Sequence, residues 1–249
     1  MTIEALFDKI LGAKYCTALT GAGVSTLSGI QDFRGKNGLY NDADAEKIFD
    51  IGYFEKDPSI YYRAAASLIY EIDEKKPSVV HMVLAELERR GLLKALITQN
   101  IDLLHTKAGS VRVLEIHGSP RTHYCLRCAG VNMPFEEAAA IVRAGSLPLC
   151  PICGKALKPA ITFFGEMLPA DVMNDAVGEA GKSDLMLVLG TSLSVYPAAS
   201  IPQFTLRQGG EIVIVNNMQT ALDSSSVMRY DNLGEVFEGI KKIMDAVPK

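Results

Sequence analysis

The sequence predicts an α/β fold: a parallel sheet covered by helices on both faces, with a small insert folded around metal. Three features of the 249 residues predict it. Apolar runs of strand length alternate with segments of helical period, the pattern of a sheet buried on both sides. Four of those runs end abruptly in polar residues. Two Cys-x-x-Cys pairs sit in a stretch with little sustained periodicity.

Taken in order, the chain opens with a helical pattern over residues 1–15 that carries Glu4 and Asp8. It lacks the cationic start and apolar run of a signal peptide. Residues 15–19 suit a buried strand and lead into Thr20, Gly21, Ala22, Gly23, Val24 and Ser25. Gly21 and Gly23 leave the backbone free to turn tightly and to bring N–H groups close to an anion, as nucleotide-binding units do. Thr26 replaces the third glycine of the dinucleotide fingerprint, so the motif alone reads equally as a tight turn. Asp32, Phe33 and Arg34 then set an acid, an aromatic face and a guanidinium against that turn. Residues 35–57 are either a loop able to close over a ligand or a solvated connector.

Helices are predicted over 58–70 and 77–90, the second from Val80, Val83, Leu84 and Leu87 at i, i+3, i+4 and i+7. Strands over 92–98 and 111–116 end at Gln99, Asn100, Ile101 and Asp102, and at His117. After the insert over 119–159 comes a strand over 159–164, then a helix over 168–182 opened by Pro169. A strand over 185–189 delivers Gly190, Thr191 and Ser192. A helix over 196–208 and a strand over 212–215 follow, the strand ending in Asn216 and Asn217. The last helix is predicted over 233–246. Strand ends of a doubly wound sheet share one edge, so these polar segments are expected to line a single cleft.

At 48% hydrophobic and 22% charged residues the composition suits one large domain, or one domain with a smaller insert. A net charge of −4 provides no basic field for nucleic acid or anionic membrane, and no apolar segment is long enough to span a bilayer. The expectation is a cytoplasmic protein. Cysteine spacing bears on the same point. Cys125 and Cys128 are separated by 21 residues from Cys150 and Cys153, which in a reducing compartment points to zinc before a disulfide. Four thiolates fill a tetrahedral shell and leave no position for water or substrate, so that metal is structural. Cys16 lies inside the first strand as an inert core thiol. Among the four histidines, His81 falls within a helix, His123 neighbours the cysteines, and His105 follows a strand. His117 stands at a strand end beside a glycine, where an imidazole suits a general base, although a lone histidine more often has a structural role.

At this point the motifs resemble a family. The stretch from Gly21 to Gly35, then Thr98 to His105, the step from Ile116 to Gly118, the paired Cys-x-x-Cys, Phe163 to Glu166, Gly190 to Ala199 and Ile212 to Asn217 occur in that order. Together they are similar to the sirtuins, NAD-dependent protein lysine deacylases, in their short bacterial and archaeal form. The resemblance implies a Rossmann-like sheet with a small zinc-ribbon and helical part. The large part would cover approximately 1–31, 78–118 and 160–249, and the small part approximately 32–77 and 119–159. It implies a cofactor set of Gly21, Ala22, Gly23, Thr26, Asp32, Phe33 and Arg34 toward the pyrophosphate and nicotinamide. Gln99, Asn100, Ile101 and Asp102 would stand at the nicotinamide ribose and carboxamide. Gly190, Thr191, Ser192, Asn216 and Asn217 would hold the adenosine half, with Asp231 reaching the adenine. Phe164, Gly165, Glu166 and Val195 would pair with an extended acyl-lysine peptide.

In such enzymes the acyl oxygen of a modified lysine attacks C1′ of the nicotinamide ribose and expels nicotinamide. His117, with Asn100 and Asp102 in the catalytic set, would then deprotonate the ribose so that the 2′-hydroxyl attacks the imidate, giving free lysine and 2′-O-acyl-ADP-ribose. The implied partners are NAD, structural zinc and acyl-lysine proteins or peptides; the charge and the apolar lengths already argue against nucleic acid and membrane, and although the sequence does not disclose the oligomeric state, a monomer is expected. Two positions depart from the family pattern: Gln31 stands where proline is usual, and Leu103 where glycine or a larger polar residue is. Sirtuins that remove succinyl or malonyl groups carry a Tyr-x-x-Arg pair. At the comparable positions Tyr62 and Ala65 the arginine is missing, which favours an uncharged acyl group. Three other readings stay open on the residues: an NAD-dependent dehydrogenase, a zinc-ribbon binding module, and, ranked second, a mono-ADP-ribosyltransferase using the same cleft.

Overall fold

The computed structural model describes residues 2–32, 38 and 45–246. Phe33 and Arg34, with most of the 35–57 segment before residue 45, lie outside the described residues.

Six parallel strands build the main sheet: β1 (Cys16–Thr20), β2 (Leu93–Thr98), β3 (Val113–Glu115), β7 (Leu185–Leu189), β8 (Glu211–Val215) and β9 (Met228–Tyr230). Their spatial order is β3-β2-β1-β7-β8-β9, so the order reverses between β1 and β7. That reversal is the topological switch point, where a crevice opens beyond the strand ends. β9 has three residues and too little apolar pattern to announce itself, and the sequence reading lacks it.

Register puts the strand ends in line. One row across the sheet runs Glu115, Thr98, Thr20, Leu189, Val215, Tyr230. The residue after each of these begins a segment at the same edge. A parallel sheet buried on both faces reads as continuous apolar sequence, and β1 and β7 are buried at every position.

Helices cover both faces. On one, α1 (Ile3–Gly12), α6 (Val79–Arg89) and α11 (Leu233–Ala246) pack Leu6, Ile10, Val80, Leu84, Phe237 and Ile240 onto the sheet. Thr2 caps α1, its Oγ1 accepting from the Ala5 N–H at 3.2 Å. On the other, α9 (Ala170–Lys182) and α10 (Ile201–Arg207) meet Leu19, Ile97, Val188 and Ile214. Pro169 stands at the N-cap position of α9, without a side-chain capping bond. The predicted 196–208 helix divides into a 3-10 turn at Ala198–Ser200 and α10.

A second, antiparallel sheet has the order β5-β4-β6, from β4 (Gly118–Tyr124), β5 (Asn132–Pro134) and β6 (Lys158–Ile161). β6 therefore belongs to the insert and not to the parallel sheet. α8 (Phe135–Arg143) lies beside it and buries Phe135, Ala138, Ala139 and Val142. That spacing is i, i+3, i+4, i+7, but two of the four positions are alanine, which weakens the apolar signal. With α4 (Ile51–Lys56) and α5 (Pro58–Leu68), these residues form an aromatic core of Phe49, Phe54, Tyr61, Tyr62, Tyr70 and Phe163. Tyr62 is 3% exposed, and its hydroxyl donates to the Leu157 carbonyl at 2.5 Å. Ala65 is fully buried there too. Both positions face this core, and neither is among the described residues that line the cleft below.

Candidate active site

The segments after the aligned strand ends enclose one cleft of about 1450 Å³. Gly21, Ala22, Gly23 and Thr26 line it from β1, and Asp32 lies beyond them. Gln99, Asn100 and Ile101 line it from β2, and His117 from beyond β3. Gly190, Thr191, Ser192 and Val195 come from β7, Asn216 and Asn217 from β8, and Asp231 from β9. Phe164, Gly165 and Glu166 close the side nearest the small sheet.

The glycine turn works differently from its sequence reading. The N–H of Gly21 donates to Leu189 O at 3.0 Å and that of Gly23 to Gly190 O at 2.9 Å. Those amides are spent on the neighbouring turn, which leaves the Ala22 N–H as the group without a recorded partner among the described residues. Gly21 is small because the two turns touch: a Cβ there would lie 2.7 Å from Thr191 Cβ and 2.8 Å from Gly190 O. Gly21→Ala is therefore expected to cost about 1–3 kcal/mol by overpacking, read as a shifted urea midpoint. An unchanged midpoint would mean that the turns separate freely.

Asn100 is 7% exposed, and its Nδ2 donates to Gly21 O and Ser25 Oγ, each at 3.1 Å. Ser25 donates to Asp102 Oδ2 at 2.5 Å, and Asp102 Oδ1 accepts the Leu104 N–H at 2.9 Å. Burial raises the Asp102 carboxyl above its ordinary range, against the pull of those two donors. Asp102 does not line the main cleft. It borders a small adjoining cavity of about 40 Å³ that shares Ala22, Asn100 and Ile101 with it. The chain Asp102, Ser25, Asn100, Gly21 is thus a strut that orients the Asn100 amide, and Ser25 is the member the sequence motifs left without a task.

Beneath it, Thr20 Oγ1 donates to Thr98 Oγ1 at 2.8 Å and lies 2.9 Å from His105 Nε2. With its one hydroxyl proton given to Thr98, Thr20 accepts from His105. His81 and His105 are both buried with rings 4.5 Å apart, and burial lowers both, His81 to about 4. These two histidines support the site from within the core. Leu103 precedes α7 (Leu104–Lys107) with φ of 60°, a left-handed backbone that glycine adopts without strain and leucine does not.

His117 is the imidazole at the cleft. Its Nδ1 lies 2.9 Å from the Gln99 carbonyl. A carbonyl only accepts, so Nδ1 carries the proton and Nε2 keeps its lone pair. Burial pushes the imidazole pKa below its ordinary value, and the Gln99 carbonyl only partly opposes this. The ring is therefore neutral at neutral pH and can accept a proton. Gly118 makes the placement possible: its φ is 74°, and a Cβ would lie 2.2 Å from Ala160 O. The chain turns there from β3 into the small sheet.

Opposite, Gln99 Nε2 donates to Thr191 Oγ1 at 2.9 Å and ties two strand ends together. Asn216 Nδ2 donates to Met218 O at 2.9 Å. Asp231 pairs with Arg229, which also reaches Asp223 at 2.9 Å.

The two cysteine pairs, Cys125 with Cys128 and Cys150 with Cys153, meet in space. Their Sγ atoms all lie within 4.8 Å, and Cys125 and Cys153 are 3.6 Å apart. A tetrahedral zinc with bonds of about 2.3 Å needs sulfurs roughly 3.8 Å apart, so the donor set fits. Backbone N–H groups of Arg127 and Cys128 point at Cys125 Sγ at 3.4 and 3.3 Å and favour its thiolate. Cys16 stands apart, fully buried, its thiol pushed up to about 12 by burial.

The Sir2 family model matches residues 21–197. An NAD-dependent protein deacetylase of Thermotoga maritima is 41% identical over 245 residues, covering 98% of each chain. NAD-dependent protein deacylase 1 of Archaeoglobus fulgidus is 41% identical over 246 residues, covering 99% of this chain and 98% of its own. Among solved structures, a histidine-to-alanine variant of Sir2 with a deacetylated peptide and 3′-O-acetyl-ADP-ribose superposes with a TM-score of 0.90 at 40% identity, covering 98% of both chains. A family model that matches most of the chain, and relatives 41% identical over nearly its whole length, place the chain in the Sir2 family.

Proposed function

We propose that the chain is an NAD-dependent protein lysine deacylase that yields nicotinamide, free lysine and 2′-O-acyl-ADP-ribose. The single observation that carries this reading is the neutral, Nε2-open imidazole of His117 at the edge where all six strand ends meet. The deacetylase and deacylase names of the relatives support it. A cleft of about 1450 Å³ has room for a dinucleotide together with an acyl-lysine side chain.

On this reading the Asn100 amide, fixed by Gly21 and Ser25, meets the nicotinamide ribose. Ala22 and Thr26 hold the pyrophosphate side with Asp32, Phe33 and Arg34, while Thr191, Ser192, Asn216, Asn217 and Asp231 take the adenosine half. His117 takes the ribose proton at Nε2 while Gln99 O holds Nδ1–H. Asp102 acts one step removed, through Ser25. The peptide lies along Gly165 to Met167 and Val195, where Phe164, Met167 and Tyr196 are 42%, 90% and 67% exposed. An exposed apolar rim of this kind suits a partner surface. The four cysteines hold one structural zinc, and the small part is the unit it folds. No helix among the described residues is long and apolar enough to cross a membrane. A cytoplasmic monomer is the setting we infer.

The test is to incubate the protein with NAD and either an acetyl-lysine or a succinyl-lysine peptide. Peptide-dependent nicotinamide release supports deacylation, label transfer to protein supports ADP-ribosylation, and NADH formation supports a dehydrogenase. Among the described lining residues the charged groups are Asp32, Glu166 and Asp231, with no lysine or arginine. Among those described residues an anionic acyl group finds no cation, and acetyl-lysine is expected to turn over at least about 10-fold faster. Faster succinyl turnover would overturn the preference and leave the deacylase reading intact.

A further inference from the structure

Lys158 is the only buried lysine or arginine among the described residues, at 1% exposure, and the reaction above does not use it. Its Nζ donates to Ile161 O at 2.6 Å and to Pro159 O at 3.2 Å. It pairs with Glu166 Oε2 at 2.8 Å and lies 4.2 Å from the centroid of the Phe163 ring. A buried ammonium persists only where partners replace its water, and here two carbonyls, a carboxylate and an aromatic face do so. Burial lowers its pKa, and Glu166 pulls in the opposite direction.

The same Glu166 oxygen accepts the Phe163 N–H at 2.7 Å. On the far side of the turn, the Phe164 N–H donates to Phe49 O at 2.7 Å, and its carbonyl accepts from the Ile51 N–H at 3.1 Å. The backbone of Phe164 is therefore already paired within the chain. The segment over 161–166 is pinned twice, by the ammonium and by residues 49–51. Gly165 sits between the two anchors and lines the cleft. The Glu166 carboxylate is part of one anchor.

We propose that Lys158 is a positioning residue for substrate docking: through Glu166 it holds the 161–167 turn at the cleft rim, so that Gly165 offers a preformed edge to an extended acyl-lysine peptide. The proposal rests on the deacylase reading for the identity of the peptide. Lys158 itself is too deep to touch substrate. Glu166 acts as its strut and not as a partner for a charge on the peptide.

The experiment compares wild type, Lys158→Met, Glu166→Gln, the double variant and Lys158→Arg. Readouts are polarisation of a fluorescein-labelled acetyl-lysine peptide, calorimetry with NAD, and steady-state kinetics. Lys158→Met is expected to weaken peptide binding and raise peptide KM by about 10-fold, because a displaced edge loses its register, while NAD affinity stays within about two-fold. Glu166→Gln is expected to move the same way by less. The double variant should bind peptide no more weakly than Lys158→Met, since both changes remove one strut. Lys158→Arg, which keeps the charge, should recover part of the loss.

Unchanged peptide affinity in Lys158→Met would overturn the proposal. So would an equal loss of NAD affinity, which marks general loosening, or effects of Lys158 and Glu166 that multiply, which would put Glu166 on the peptide directly. Should Lys158→Met fail to fold, Glu166→Gln decides alone, and unchanged peptide binding there overturns the proposal. Wild-type protein that binds the peptide without releasing nicotinamide would sink the deacylase reading, while polarisation would still measure the positioning.

Discussion

Replacing His117 with alanine is expected to lower kcat by about 10²- to 10⁴-fold, the usual worth of a positioned general base. NAD affinity and the melting temperature should change little, because the ring lies at the cleft and, among the described residues, hydrogen-bonds to the Gln99 carbonyl alone. Single-turnover assays would separate the steps: nicotinamide release, which precedes the proton removal, should survive better than formation of free lysine. The pH profile gives a second check. In the proposed role neutral His117 is the active form, so activity is expected to fall as pH drops through its folded pKa. Burial depresses that pKa, so the acid limb should centre below the ordinary value of about 6.5. A limb centred above it, or near wild-type turnover in the variant, would take His117 out of this role.

Loss of zinc should have the other large effect. The cluster around the metal comprises only Cys125, Cys150 and Leu157 as buried members, with Cys128, Val131 and Met133 beside them. So few apolar groups cannot offset the ordering entropy of the loops between them. Metal must supply it, and zinc bound by small cysteine sites contributes on the order of 10 kcal/mol or more. Cys150→Ser, or treatment with a strong chelator, is expected to release one zinc per chain and open the 125–157 region to protease. The parallel sheet should persist, because its two cores lie elsewhere. Activity should still fall by at least about 10-fold, since displacement of a positioned group is costly. The physical link is short: Gly118 opens β4, and the Thr162 N–H donates to His117 O at 2.8 Å. A metal-free protein with full activity and an unchanged melting curve would refute both the zinc assignment and that link.

Much of this was legible beforehand because it depends on near neighbours in the chain. The strand at Leu185–Leu189 and the helix at Leu233–Ala246 coincide with their predicted bounds, since continuous apolar sequence and 3.6-residue periodicity are local properties. Cysteine spacing pointed to metal for the same reason. The convergence of strand ends followed from the rule for doubly wound sheets, and the register aligns the ends of all six strands at one edge.

What the tertiary structure decided is which side chain finds which distant partner. Gly21 is small for the sake of Thr191, Tyr62 turns to Leu157, and Asp102 accepts from Ser25. Lys158 reads as an ordinary surface lysine until the fold buries it. Periodicity states that a residue is buried or exposed on its own element. Where Gly21 meets Thr191, Tyr62 meets Leu157 and Ser25 meets Asp102, the partner stands on a distant segment whose placement is fixed only when the whole core packs at once.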